Sequence, residues 1–204
     1  MLGKTHSLIG AAASTVIMQP RDLKELVMCV TLGSIGGLIP DIDMRNSEAD
    51  KHTKDLLTYA GATGIVALIY FFLAPDKIIK YLQHIDLTKL VGLLIIILLL
   101  CIGMMCKHRG FTHSVEFALL IAFSVFMLTK SIVVPLGIFI GILSHDLADL
   151  LNKKKVLLVA TIKYRKCFGI CDADSKISSG IALCSIFLII LYCVTHGLLL
   201  GLIM

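Results

Sequence analysis

Lys107-His108-Arg109-Gly110-Phe111-Thr112-His113-Ser114 lies between two of the most apolar segments of the chain, 90–106 and 115–129. Two imidazoles and a guanidinium beside such segments incur a desolvation cost that a ligand or partner must offset, so the stretch marks a site. Three further polar islands can be matched to it: Lys4-Thr5-His6, Pro40-Asp41-Ile42-Asp43, and Ser144-His145-Asp146-Leu147-Ala148-Asp149. Together they hold His6, His108, His113 and His145 with Asp41, Asp43, Asp146 and Asp149, an inventory suited to a divalent metal.

The rest of the chain is far more apolar than a soluble domain: 57% of its 204 residues are hydrophobic and 16% charged, with a mean hydropathy of +0.93. This composition reads as an all-α, polytopic membrane protein. The loops are too short to fold alone, so residues 1–204 form one integral-membrane domain. The run from Leu8 to Met18 is broken by small and polar residues and has His6 at its mouth, which favours structure over a signal peptide. Seven cysteines is an odd number. Four of them (Cys29, Cys101, Cys184, Cys193) fall in apolar runs as small hydrophobes, so no disulfide framework is expected. The net charge of +5 comes without a long basic run interleaved with aromatics, which argues against nucleic acid as a partner.

Apolar runs fall at 8–18, 26–39, 56–74, 90–106, 115–129, 131–151 and 177–204. The runs 56–74, 90–106 and 177–204 approach or exceed the roughly 17–25 residues of a spanning helix. The first two are short and rich in small residues (Gly10 to Ser14; Gly33, Gly36, Gly37), which predicts a tightly packed hairpin reaching part or all of the membrane depth. Pro135 suits the first turns of the sixth run, and Lys130-Ser131 makes the fifth and sixth antiparallel neighbours. Alternate loops of seven segments lie on opposite sides. One side then carries Lys4, Arg45, Lys51, Lys54, Lys107, Arg109, Lys153, Lys154, Lys155, Lys163, Arg165, Lys166 and Lys176, and the other Arg21, Lys24, Lys77, Lys80, Lys89 and Lys130. An excess of 13 against 6 makes the first side cytoplasmic. All four polar islands fall on that side, a convergence the charge argument did not use.

His145 and Asp149 are spaced i, i+4, which puts both on one helix face within reach of a single ion, while Asp146 points elsewhere. Taken alone, the pair would read as a histidine satisfied by its own helix. Histidines and aspartates arriving from three other elements make a metal the better account, and the lack of thiols argues against a structural Cys-rich site. In Pro40-Asp41-Ile42-Asp43 an extended backbone would put the aspartates on alternate sides, one ligating and the other orienting a histidine or water. Gly110 permits a sharp turn, Thr112 can cap the next helix, and His113 then sits in its first turn. Arg109 suits a phosphate or carboxylate, or a cation at the membrane boundary. The basic loop 152–175 reads as a solvated cytoplasmic loop or a segment drawn to anionic lipid headgroups. Cys167 and Cys171 form at most a weak zinc pair, and His52, His84 and His196 are not expected to ligate.

The set formed by His6 in a Thr-His-x-x-x-Gly context, Pro40-Asp41-Ile42-Asp43, His108-Arg109-Gly-x-Thr112-His113-Ser114 and Ser144-His145-x-x-x-Asp149 resembles the signature of the YdjM-like bacterial inner-membrane proteins. These are described as membrane-bound metal-dependent hydrolases. The resemblance runs through nearly the whole chain in order and spacing. That family is distantly similar to zinc-dependent phospholipase C and the P1-type nucleases, helical enzymes with a His-x-x-x-Asp metal helix. The resemblance implies that Asp41 or Asp43, one of His108 and His113, His145 and Asp149 form one metal site, and that His6 with Asp149 builds a second. The ligands of a third metal have no clear counterpart, so one or two ions are expected.

These readings lead to a hydrolase whose metal, zinc or alternatively manganese, activates water for attack on a phosphoester at the cytoplasmic face of the bacterial inner membrane. Asp41 and Arg109 are the expected catalytic residues, Arg109 holding the phosphate. A site at headgroup depth meets the lipid bilayer first, so a lipid or lipid-linked phosphate is the expected substrate. The alternative is a metal-binding membrane protein without turnover, such as a divalent-cation transporter. In a third reading the polar islands only pin helices together. Oligomeric state is not legible.

Overall fold

The structure, a computed structural model, describes residues 3–44, 86–170 and 176–198 together with isolated positions between 51 and 65. Its helices are α1 (Gly3–Met18), α2 (Leu23–Gly36), α3 (Leu87–Met105), α4 (Val115–Thr129), α5 (Val133–Leu150) and α6 (Lys176–Thr195). Each overlies one of the expected apolar runs. The run at 56–74 falls mostly outside the described residues, and so do 199–204. Four stretches are long and apolar enough to cross a membrane: Leu23–Asp43, Leu87–Met105, Val133–Leu150 and Lys176–Thr195. α4 is apolar but shorter.

Capping decides where the helices begin. The Asp22 carboxylate accepts the Glu25 N–H at 2.7 Å while Glu25 accepts the Arg21 N–H at 2.8 Å, a reciprocal cap on α2. Asp86 caps α3 through the Thr88 N–H at 2.9 Å. Ser114, and not the expected Thr112, caps α4 by accepting the Phe117 N–H at 3.3 Å. Lys130 ends α4 in the left-handed conformation (φ 55°), so the chain turns back at once into α5.

Glycine sets the packing of α1, α2 and α5. A Cβ on Gly10 would collide with the Gly33 carbonyl, and one on Gly33 with the Gly10 carbonyl, so the backbones of α1 and α2 touch directly. Gly36 of α2 and Gly141 of α5 meet in the same way, with a Cβ on Gly141 falling 2.8 Å from the Gly36 Cα. Lipid tails are as apolar as leucine, so close backbone contact takes the place of hydrophobic drive between such helices. The expected tight hairpin is therefore present. A second core, of Leu99, Phe117, Ile121, Val125, Ile138 and Ile142, joins α3, α4 and α5. α6 closes against α1, and Tyr192 donates to the carbonyl of Pro20 in the α1–α2 connection at 3.1 Å. The outer faces of α3 and α6 expose Leu94, Leu98, Leu183 and Phe187, suited to lipid.

Two local expectations change. Residues Ile39–Asp43 form a 3₁₀ turn with Pro40 at its start, where a missing N–H costs nothing, so Asp41 and Asp43 are not on opposite sides of an extended strand. The all-α reading is also incomplete, because the basic loop folds into a hairpin of β1 (Val156–Val159) and β2 (Tyr164–Lys166). β-Branched Val156 and Val159 and a left-handed Lys163 (φ 53°) supply its strand and turn chemistry.

Candidate metal centre

Antiparallel succession brings the start of α1, the exit of α2, the α3–α4 connection and the last turn of α5 to one end of the bundle. The four polar islands occupy those positions. His113 stands in a 3₁₀ turn, Phe111–His113, just before α4 rather than within its first turn. That places it opposite His145 of α5, with the two Nε2 atoms 3.3 Å apart.

Each imidazole is held by its other nitrogen. His145 Nδ1 lies 2.8 Å from the Gly37 carbonyl, which can only accept, so Nδ1 carries the proton. Thr112 donates its hydroxyl proton to Asp43 Oδ2 at 2.6 Å, leaving its oxygen to accept from His113 Nδ1 at 3.1 Å. Asp43 Oδ2 also faces His113 Nδ1 at 3.4 Å. Both Nε2 atoms therefore direct lone pairs towards one point. Asp41 Oδ1 lies 3.7 Å from His145 Nε2, and Asp149 Oδ2 lies 3.8 Å from His113 Nε2. Two ligands on one tetrahedral zinc, at about 2.0–2.1 Å from it, stand about 3.3–3.4 Å apart. The histidine pair matches that separation, and the carboxylates lie slightly outside it.

Asp43 organises this arrangement. Its Oδ1 pairs with His108 Nδ1 at 2.8 Å, and its Oδ2 accepts the Arg109 backbone N–H at 3.0 Å as well as Thr112. His108 is the exposed member at the rim. Arg109 adopts a left-handed backbone (φ 62°), sparsely used by residues with a Cβ. Its N–H bond to Asp43 and the Leu157 N–H on its carbonyl at 3.3 Å hold it there. The buried guanidinium reaches Asp149 Oδ2 at 3.2 Å and the Lys154 carbonyl at 2.9 Å, while its Nε has no hydrogen-bond partner.

On the other side of Asp149, Oδ1 meets His6 Nε2 at 3.2 Å and accepts from Asn152 Nδ2 at 2.6 Å. The His6 ring stacks on His145 with centroids 3.7 Å apart, and its Nδ1 is buried without a partner. The side chains thus fall into three sets, each able to converge on one cation: His6, His145 and Asp149; Asp41, His113 and His145; Asp43, His108 and His113. The short Asp43–His108 bond makes the third set a hydrogen-bonded frame more than a cation cradle. No cysteine joins a set among the described residues.

Three participants have roles that the motifs do not give: Thr112 reads from the sequence as a cap, Asp146 as pointing away, and nothing there singles out Asn152. Thr112 and Asn152 are second-layer donors, visible only once the fold places them. Asp146, expected to point elsewhere, is 3% exposed, and neither of its oxygens has a hydrogen-bond partner. It lies within electrostatic reach of Asp41, Asp43 and Asp149. Among the described residues, four buried carboxyls, Asp41, Asp43, Asp146 and Asp149, thus stand against one permanent buried cation, Arg109, which pairs with Asp149. A divalent ion is the natural complement to that excess, and the orphaned His6 Nδ1 and Asp146 oxygens fit further coordination.

A helical bundle with apolar outer faces and a buried His/Asp centre at one end defines a membrane protein equipped to hold a metal ion. The chain belongs to the YdjM inner membrane protein family, whose family model matches residues 1–202. No curated protein and no solved structure matches it.

Proposed function

We propose that this protein is a membrane-embedded metal-dependent hydrolase acting on a phosphoester of a lipid or lipid-linked substrate. The observation that carries the reading is the facing pair of His113 and His145 Nε2 atoms at 3.3 Å, each fixed through its Nδ1 and each flanked by a carboxylate. Asp41, His113, His145 and Asp149 would hold the ion, zinc first and manganese second, and His6 with Asp149 would hold another. A bound ion of this kind supplies Lewis acidity and lowers the pKa of water towards about 7. Asp43 keeps His113 in the ligating tautomer, and the Gly37 carbonyl does the same for His145. Arg109 balances Asp149 and has its Nε edge left for an anionic oxygen. Asp41, beside both histidines, would also accept a proton from water.

The proposal includes seven membrane segments with the centre facing the cytoplasm, supported by the basic excess on the side of the islands. It also includes the distant kinship to zinc-dependent phospholipase C and P1 nuclease, supported by the His145-x-x-x-Asp149 pattern alone. The rival reading is a divalent-cation transporter. Transport needs ligands on both sides, and among the described residues every candidate cation set lies at one end of the bundle. At the opposite end, Asp86 serves as a helix cap, and His84 is outside the described residues.

Elemental analysis of protein purified without chelator, beside His145→Ala and Asp149→Ala, is the first test. One or two equivalents of zinc or manganese in the wild type, lost in both folded variants, supports the centre. Absence of metal from the wild type would remove hydrolase and transporter together. With metal established, release of phosphate-bearing headgroups from phospholipid or lipid pyrophosphate supports hydrolysis. Ion uptake into proteoliposomes with unchanged lipid would favour transport instead.

A further inference from the structure

The β1–β2 hairpin has no part in holding the cation, yet the structure fixes it firmly. Glu116, in the first turn of α4, accepts the Ala160 N–H at 3.0 Å, the Thr161 N–H at 3.0 Å and the Thr161 hydroxyl at 2.8 Å, which pins the tip. At its base, the Phe168, Gly169 and Ile170 N–H groups bond to the Leu150, Asn152 and Leu151 carbonyls at 2.6, 3.2 and 2.9 Å. Val156 and Leu157 are both buried, and the Leu157 N–H bonds to the Arg109 carbonyl at 3.3 Å. The hairpin thus begins just past the end of α5 at Leu150, and α5 is long and apolar enough to cross a membrane, which would put the hairpin near the headgroup layer.

Its exposed side chains have a composition that water alone does not explain. Residues 151–170 contain six cations, Lys153, Lys154, Lys155, Lys163, Arg165 and Lys166, and no carboxylate. All six are exposed. Among them stand Ile162, Phe168 and Ile170, exposed by 71%, 55% and 61%, and Tyr164. Lys166 Nζ lies 5.1 Å from the Phe168 ring centroid, so this cation and this aromatic ring share one surface. Apolar and aromatic side chains alternating with cations, on a rigid element at headgroup depth, match a surface of buried acyl carbons capped by phosphates.

We propose that this hairpin is an interfacial arm that binds the anionic phospholipid headgroups around the metal centre. Ile162, Tyr164, Phe168 and Ile170 enter the boundary of the acyl region, and the six cations take the phosphates. The inference does not depend on the hydrolase reading, since it needs no metal and no turnover.

The chain contains no tryptophan and five tyrosines, so Ile162→Trp in the full-length protein gives a sole tryptophan that can be excited selectively over the tyrosines. It is measured in nanodiscs of phosphatidylcholine and in nanodiscs containing phosphatidylglycerol. The expected result is a blue-shifted emission and stronger protection from acrylamide in the anionic discs. Both fall back to the phosphatidylcholine values when Lys163→Gln, Arg165→Gln and Lys166→Gln are added. Helix content by circular dichroism verifies that the variants fold. Equal emission in the two disc types, or a shift that survives charge removal, overturns the proposal.

Discussion

Asp43 is the residue on which the centre's geometry rests, although it stands one layer back from the facing imidazoles. Its two oxygens engage His108, His113, Thr112 and the Arg109 backbone. Asp43→Asn replaces one acceptor oxygen with an amide donor, so it frees His113 to rotate or change tautomer. Loss of such an orienting carboxylate typically weakens metal binding about 10–100-fold. Competition against a chromophoric chelator reads this directly, with exposed His108→Ala expected to stay close to wild type. Asp146 predicts the opposite sign. With the metal stripped, its buried, unpaired carboxyl destabilises the fold, so Asp146→Ala should raise the stability of the chelated protein by about 1–3 kcal/mol. Thermal unfolding in detergent with chelator present measures it, and an unchanged or lower midpoint would refute the assignment of Asp146 as an unpartnered buried carboxyl.

The crossing of α1, α2 and α5 ties packing to chemistry. Gly37, whose carbonyl holds His145, follows Gly33 and Gly36, the two glycines at the helix contacts. Gly33→Ala adds a methyl against the Gly10 carbonyl, and overpacking of this kind costs roughly 1–3 kcal/mol. The same displacement moves the Gly37 carbonyl, so bound metal should fall together with the unfolding midpoint. Gly180→Ala is the control, because nothing lies within 4 Å of its Cβ position and alanine favours the helix. A Gly33→Ala protein with wild-type midpoint and metal content would show that the two helices are not in backbone contact.

For the molecule as a whole, the buried acidic excess predicts coupling between ion and fold. A ligand bound only by the folded state at 100 times its dissociation constant stabilises it by about 2.7 kcal/mol. The unfolding midpoint should therefore fall on chelation and return on adding zinc or manganese, but not in His145→Ala. Much of this was legible before any coordinates. The apolar runs locate the described helices because a hydrophobic segment of that length has few alternatives to a helix, and the alternation of loops brings His6, Asp41, Asp43, His113, His145 and Asp149 to one end. What chain order leaves open is set by distances between elements remote in sequence. Thr112 bonds to Asp43 instead of capping α4, Asp41 and Asp43 share a 3₁₀ turn, and Asp146 is buried with neither oxygen hydrogen-bonded. The basic loop becomes a hairpin because Glu116, forty-four residues from Ala160, captures its tip. Periodicity and composition report which side chains lie near one another along the chain and on which side of the membrane they emerge. The hydrogen bonds that choose a tautomer or fasten a loop need partners brought within about 3 Å, and only packing supplies those.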